Sequence, residues 1–77
     1  EKEVYSEDGV FIGYIKDSII KDKKVYGWII KTDKKYNFRK NILVKKENIQ
    51  SIGDIFIVDN SVLEQIYLLD NLNKKKN

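Results

Sequence analysis

The side chains that could do chemistry are few and do not form a set. The chain of 77 residues holds no cysteine, no histidine and no methionine. That removes disulfides, the commonest metal ligands and the usual imidazole base. Asp17 and Asp54 each follow a glycine-containing strand motif, and two carboxylates brought together can share acid and base roles. With no histidine or acidic cluster near either in sequence, a turn or capping role is the better reading of both. Gly9, Gly13, Gly27 and Gly53 stand singly, so no glycine-rich phosphate cradle is encoded. The expectation is a protein that is not an enzyme and uses no cofactor and no metal.

What remains is binding chemistry. The formal charge is +3, and Lys74, Lys75 and Lys76 account for all of it, because residues 1–73 hold 12 basic and 12 acidic side chains. The charge is nevertheless segregated. Residues 1–8 carry four acidic and one basic side chain, residues 16–46 eleven basic and three acidic, and residues 47–73 five acidic and none basic. Within the basic region Lys34, Lys35, Arg39, Lys40, Lys45 and Lys46 form a candidate basic surface. Nucleic-acid readers favour arginine for bidentate contacts, whereas Arg39 is the single arginine among fourteen lysines. A solvated lysine face is therefore preferred to a nucleic-acid site, with RNA kept as the alternative partner through Tyr36 and Phe38 as stacking groups.

The elements that must position these residues are short and β-rich. Glu3 to Ser6 reads as a strand ending at Glu7-Asp8-Gly9, where Asp-Gly favours a tight turn. A second strand runs from Val10 to Lys16, with Gly13 marking a bulge or bend, and Asp17-Ser18 interrupts it before Ile19 and Ile20. Lys21 to Lys24 reads as a loop. Val25 to Thr32 is the strongest strand and the expected centre of the sheet, and Asn41 to Lys45 is another. Between them Tyr36 and Phe38 either cover the mouth of a barrel or form an exposed recognition tip. Lys46 to Ile49 resembles a short helical turn, and Ser51 to Asp54 leads into a closing strand over Ile55 to Val58.

After Asp59-Asn60 the pattern turns helical. Ser61-Val62-Leu63-Glu64 fits a capping box, and Val62, Ile66 and Leu69 recur at helical spacing. The expected organisation is a β domain over residues 1–59, an amphipathic helix over 60–72 and a disordered Lys/Asn tail over 73–77.

Both registers of several strands are apolar: Ile12 and Tyr14 oppose Phe11 and Ile15, and Ile29 opposes Trp28 and Ile30. A domain of this length buries only about 60% of the surface its unfolded chain exposes. One face fills an interior, and the other needs the helix, a second subunit, or both. Covering a few hundred extra Å² is worth on the order of 10 kcal/mol gross at ~25 cal/mol per Å². Trp28 is thus either a core tryptophan or an interface hot spot, and Val62, Ile66 and Leu69 either dock on the chain's own barrel or pair across a dimer.

At this point the residues carry a resemblance. The order Phe11-Ile12-Gly13-Tyr14-Ile15-Lys16-Asp17, Val25-Tyr26-Gly27-Trp28-Ile29-Ile30, Ile42-Leu43-Val44 and Asn48-Ile49-Gln50-Ser51-Ile52-Gly53-Asp54-Ile55 is similar to the PRC-barrel family across roughly residues 3–58. Lys45-Lys46 departs from it, since many members place a proline there. The resemblance implies a mainly β fold, a small six-stranded barrel followed by a helix, used as a non-catalytic adaptor. The family includes the cytoplasmic domain of the photosynthetic reaction-centre H subunit and the C-terminal domain of the ribosome maturation factor RimM. Short stand-alone members occur in sporulating bacteria and in archaea, some resembling cell-division adaptors that bind SepF.

The expected partners are a second copy of the chain and another protein, a cell-division or ribosome-assembly factor. Candidate contact residues are Trp28, Tyr36, Phe38, Val62, Ile66 and Leu69. No apolar run approaches the roughly 20 residues that span a bilayer, so no membrane insertion is expected and the location is read as cytoplasmic. The chain begins at Glu1 rather than at a methionine, which leaves open a segment ahead of it.

Overall fold

A computed structural model describes residues 1–36 and 41–75, with side chains through residue 72. Six strands form one sheet: β1 (Glu3–Ser6), β2 (Phe11–Lys21), β3 (Lys24–Thr32), β4 (Asn41–Lys45), β5 (Ile49–Ile52) and β6 (Phe56–Val58). Helix α1 (Asn60–Lys75) follows. The strand order is β4-β3-β2-β1-β6-β5, and every neighbouring pair is antiparallel except β1 with β6.

The sheet curls on itself. Trp28 on β3 and Phe56 on β6 lie three strands apart in that order, yet their rings meet edge to face with centroids 5.4 Å apart. The two outermost strands, β4 and β5, are joined by a single 3₁₀ turn over Lys46–Asn48, which draws the ends of the sheet together. Val4, Ile12, Ile30, Val44, Phe56 and Val58 point into the enclosed space. Helix α1 fills its open side with Val62, Leu63 and Ile66. Each such side chain taken fully from water is worth roughly 1.5–3 kcal/mol gross, which is why the helix seats here by this face.

Local chemistry sets the turns. Gly9 takes φ +84, and Ser6 anchors the β1–β2 turn: its carbonyl accepts the Gly9 amide at 3.0 Å and its hydroxyl oxygen the Val10 amide at 3.1 Å. Gly13 is needed for room, because a Cβ there would sit 2.0 Å from the Lys31 carbonyl oxygen. Bulges absorb the irregularities of β2. Its pairing with β3 shifts between Ile15 and Asp17, so Lys16 is the extra residue, and Asp17 and Ser18 stay in register with Ile29 and Trp28.

Several expectations need correcting. Asp17-Ser18 does not break the second strand, since the bulge at Lys16 lets pairing continue to Lys21 opposite Lys24. The loop over Lys21–Lys24 is consequently a two-residue turn of Asp22 and Lys23, with φ of 50 and 65. Residues 49–52 form a strand of their own, paired with β6. The helix begins at Asn60, so Ser61 lies inside its first turn rather than capping it. It also runs to Lys75, into the segment expected to be disordered.

Candidate interaction surface

The outer face of β2, β3 and β4 can be written as three cross-strand rows. Tyr14, Lys31 and Asn41 form the first, Asp17, Ile29 and Leu43 the second, and Ile19, Gly27 and Lys45 the third. Residues paired across strands point to the same side, and this is the side opposite Trp28, Ile30 and Val44. Leu43 is 47% exposed and leans over the bare backbone of Gly27. Phe11 continues the face toward β1, with ring centroids 5.4 Å from Tyr5 and 5.3 Å from Tyr14. A depression of about 270 Å³ opens beside Tyr14 and Lys31. Alternation therefore gives the sheet a second apolar side, and α1, which packs on the first, leaves it uncovered.

At one end of this face the β2–β3 hairpin runs past its neighbours. The β1 pairing stops at Glu3 opposite Tyr14, and the β4 pairing at Lys45 opposite Gly27, so the last residues of the hairpin pair only with each other. Lys21, Lys23 and Lys24 crowd its tip. The Lys21 ammonium lies 4.1 Å from the centre of the Tyr26 ring and that of Lys45 6.0 Å from it, both within cation–π reach.

At the opposite end the acidic side chains are tied together. Glu7 accepts hydrogen bonds from the Gln50 amide group and, at 2.9 Å, from the Asn60 backbone amide at the start of α1. Gln50 also donates to Asp59 at 2.8 Å, and the Asn60 side chain donates to Asp8 at 3.0 Å. A carboxylate on the first turn of a helix satisfies an orphan amide and meets the positive end of the helix dipole. Among the described residues no cluster of acidic groups has the arrangement of a metal site.

The sequence-derived candidates are scattered by this geometry. Trp28 is partly buried against the core through Phe56. Tyr36 is 4% exposed and is no recognition tip. Its hydroxyl donates to the Phe11 carbonyl at 3.3 Å, and its pKa is pushed up to about 12, first by burial and then by Tyr67, Asp33 and Asp70. Val62 and Ile66 are buried in the chain's own core and Leu69 packs against it, so the exposed apolar groups of α1 are Tyr67, Leu68 and Leu72 instead. The reason is helical geometry: the stripe that best fits the 3.6-residue period is the one the barrel takes.

Lys34, Lys35, Lys45 and Lys46 are exposed, with the Lys35 ammonium 5.9 Å from the Phe11 ring centre and 5.3 Å from that of Tyr36. Phe38, Arg39 and Lys40 lie outside the described residues. Asp17 accepts the Ser18 amide at 2.8 Å and so serves locally, and Asp54 lies in the β5–β6 turn. Sequence reasoning missed Leu43, Ile29 and the hairpin lysines as surface groups. The apolar outer register was the signal for the first two, and the Lys-Asp-Lys-Lys run for the others.

A six-stranded sheet curled on itself and closed by one helix, with an outer face that carries apolar groups and opposite charge at its two ends, defines a small barrel-type domain. The PRC-barrel domain model matches residues 1–65, and the chain belongs to that family. No curated protein matches it. Among the described residues no helix is long and apolar enough to cross a membrane.

Proposed function

We propose that this PRC-barrel protein is a non-catalytic adaptor that acts by binding proteins, with a second copy of itself as the first partner. The outer sheet face supports the reading: Phe11, Tyr14, Ile29 and Leu43 form an apolar side that the helix does not cover. Interfaces concentrate aromatic and aliphatic anchors within a polar rim, and Lys31, Lys45 and Asp17 supply such a rim. Beyond the dimer, the partner is a cell-division factor of the SepF type or a ribosome-assembly factor, met in the cytoplasm.

Sedimentation of the wild-type chain and of Leu43→Glu across a concentration series tests the dimer. The side chain is half-exposed, so the variant keeps its fold, as circular dichroism would verify. A dimer that becomes a monomer in Leu43→Glu supports the reading; a wild-type monomer at high micromolar concentration sinks its self-association. The RNA-associated alternative retains the exposed lysines but loses Tyr36, which the core encloses. RNA binding that is absent or insensitive to salt removes it.

A further inference from the structure

The lysines at the tip of the β2–β3 hairpin make no ion pair within the fold. Among the described residues none of Lys21, Lys23, Lys24 and Lys45 has an ion-pair partner, whereas the acidic end of the molecule is closed by its own hydrogen bonds. Lys23 adds an observation of a different kind. It occupies the second position of a turn whose two central residues both take positive φ, a place where glycine is most at ease and an L-residue with a long side chain is disfavoured. A strained residue kept at an exposed tip points to a use for its side chain. The Tyr26 ring holds the Lys21 ammonium 4.1 Å and the Lys45 ammonium 6.0 Å from its centre, which limits the freedom their side chains would lose on binding.

We infer that the hairpin end, through Lys21, Lys23, Lys24 and Lys45, is a docking point for an acidic segment of a partner protein. The inference rests on the adaptor reading; Lys21, Lys23 and Lys24 lie beyond the apolar face, and Lys45 stands on its border. Lysine ammoniums are point charges that suit carboxylates arriving in variable geometry, whereas the reading of base edges favours the planar fork of arginine. The tip's aromatic group, Tyr26, has an ammonium 4.1 Å from its ring centre, which competes with a stacked base. The acidic cluster of a second copy is a poor occupant, because its Glu7, Asp8 and Asp59 are engaged in tying down the start of α1.

The probe is poly-L-glutamate, titrated at several salt concentrations against the full chain, against Lys21→Gln/Lys23→Gln/Lys24→Gln, and against Lys16→Gln/Lys34→Gln/Lys35→Gln, which removes equal charge elsewhere. Lysines acting together at one place should make the hairpin variant about tenfold weaker with a flatter salt dependence, while the control changes less than about twofold. Equal losses in both variants would mean that net charge alone binds and would overturn the inference. So would an absence of binding, or hairpin substitutions that abolish binding to a single-stranded RNA oligonucleotide while leaving poly-L-glutamate untouched. Sedimentation of the same variants keeps the tests apart: a hairpin that fails to bind in a chain that still dimerises removes this inference and leaves the adaptor reading standing.

Discussion

Strand β2 begins beside one cluster of charge and ends in another, roughly 33 Å away at about 3.3 Å per residue. The two ends are handled in opposite ways. At the β1–β2 turn, Glu7, Asp8 and Asp59 spend their acceptors on Gln50 and Asn60, joining three parts of the chain at the point where the helix starts. At the β2–β3 turn the lysines have, among the described residues, an aromatic ring as neighbour and no carboxylate. Charge at the first end is part of the fold, and charge at the second is available to something outside it. Formal charge alone does not separate the two. Partners do.

The comparison is broken most severely by a change that lies between the ends. In Gly13→Ala the new methyl would overlap the Lys31 carbonyl oxygen, a backbone atom that cannot swing aside, so β2 and β3 must part. The expected loss is about 3 kcal/mol or more, at the top of the range for overpacking. Urea denaturation measures it, and both ends should loosen together in hydrogen exchange. A chain that tolerates the substitution within error would show that β2 and β3 can part at Gly13 at little cost.

Next in size is Glu7→Ala, which removes the acceptor of the Asn60 amide and one of the two acceptors of Gln50, Asp59 being the other. A lost charged cap at a solvent-exposed helix start costs about 1–2 kcal/mol. Hydrogen exchange should rise selectively at the amides of Asn60 to Leu63, with the hairpin unaffected. Unchanged protection there would make the acidic end ornamental and erase the contrast.

Much of this architecture was legible in the sequence, and the failures share a cause. Glu3–Ser6 and Asn41–Lys45 are read residue for residue, and Val25–Thr32 lacks only its first residue, because β-branched and aromatic runs bounded by polar turns report strands directly. The Lys21–Lys24 turn hides because neither positive-φ position is glycine. β5 hides because its pairing with β6 is irregular between Ile49 and Ser51, which spoils the alternation that would announce it. For the site the difficulty is of another kind. Helical period identifies Val62, Ile66 and Leu69 as one stripe without saying what the stripe faces, and Tyr36 is a core residue supplied by a loop. The outer row of Ile29 and Leu43 becomes visible only once register pairs them.

Lys23→Gly gives the smallest effect and the sharpest test of the contrast, since its two consequences have opposite signs. Relieving a left-handed lysine gains about 1 kcal/mol, part of which is offset by the larger freedom of glycine in the unfolded chain, leaving roughly 0.5 kcal/mol of added stability. The melting temperature should therefore rise slightly while affinity for poly-L-glutamate falls. Any substitution at the acidic end that removes an acceptor should do the reverse of the first and nothing to the second. If Lys23→Gly instead lowers stability, the turn depends on its lysine for the fold itself. The two ends would then differ in sign of charge but not in kind.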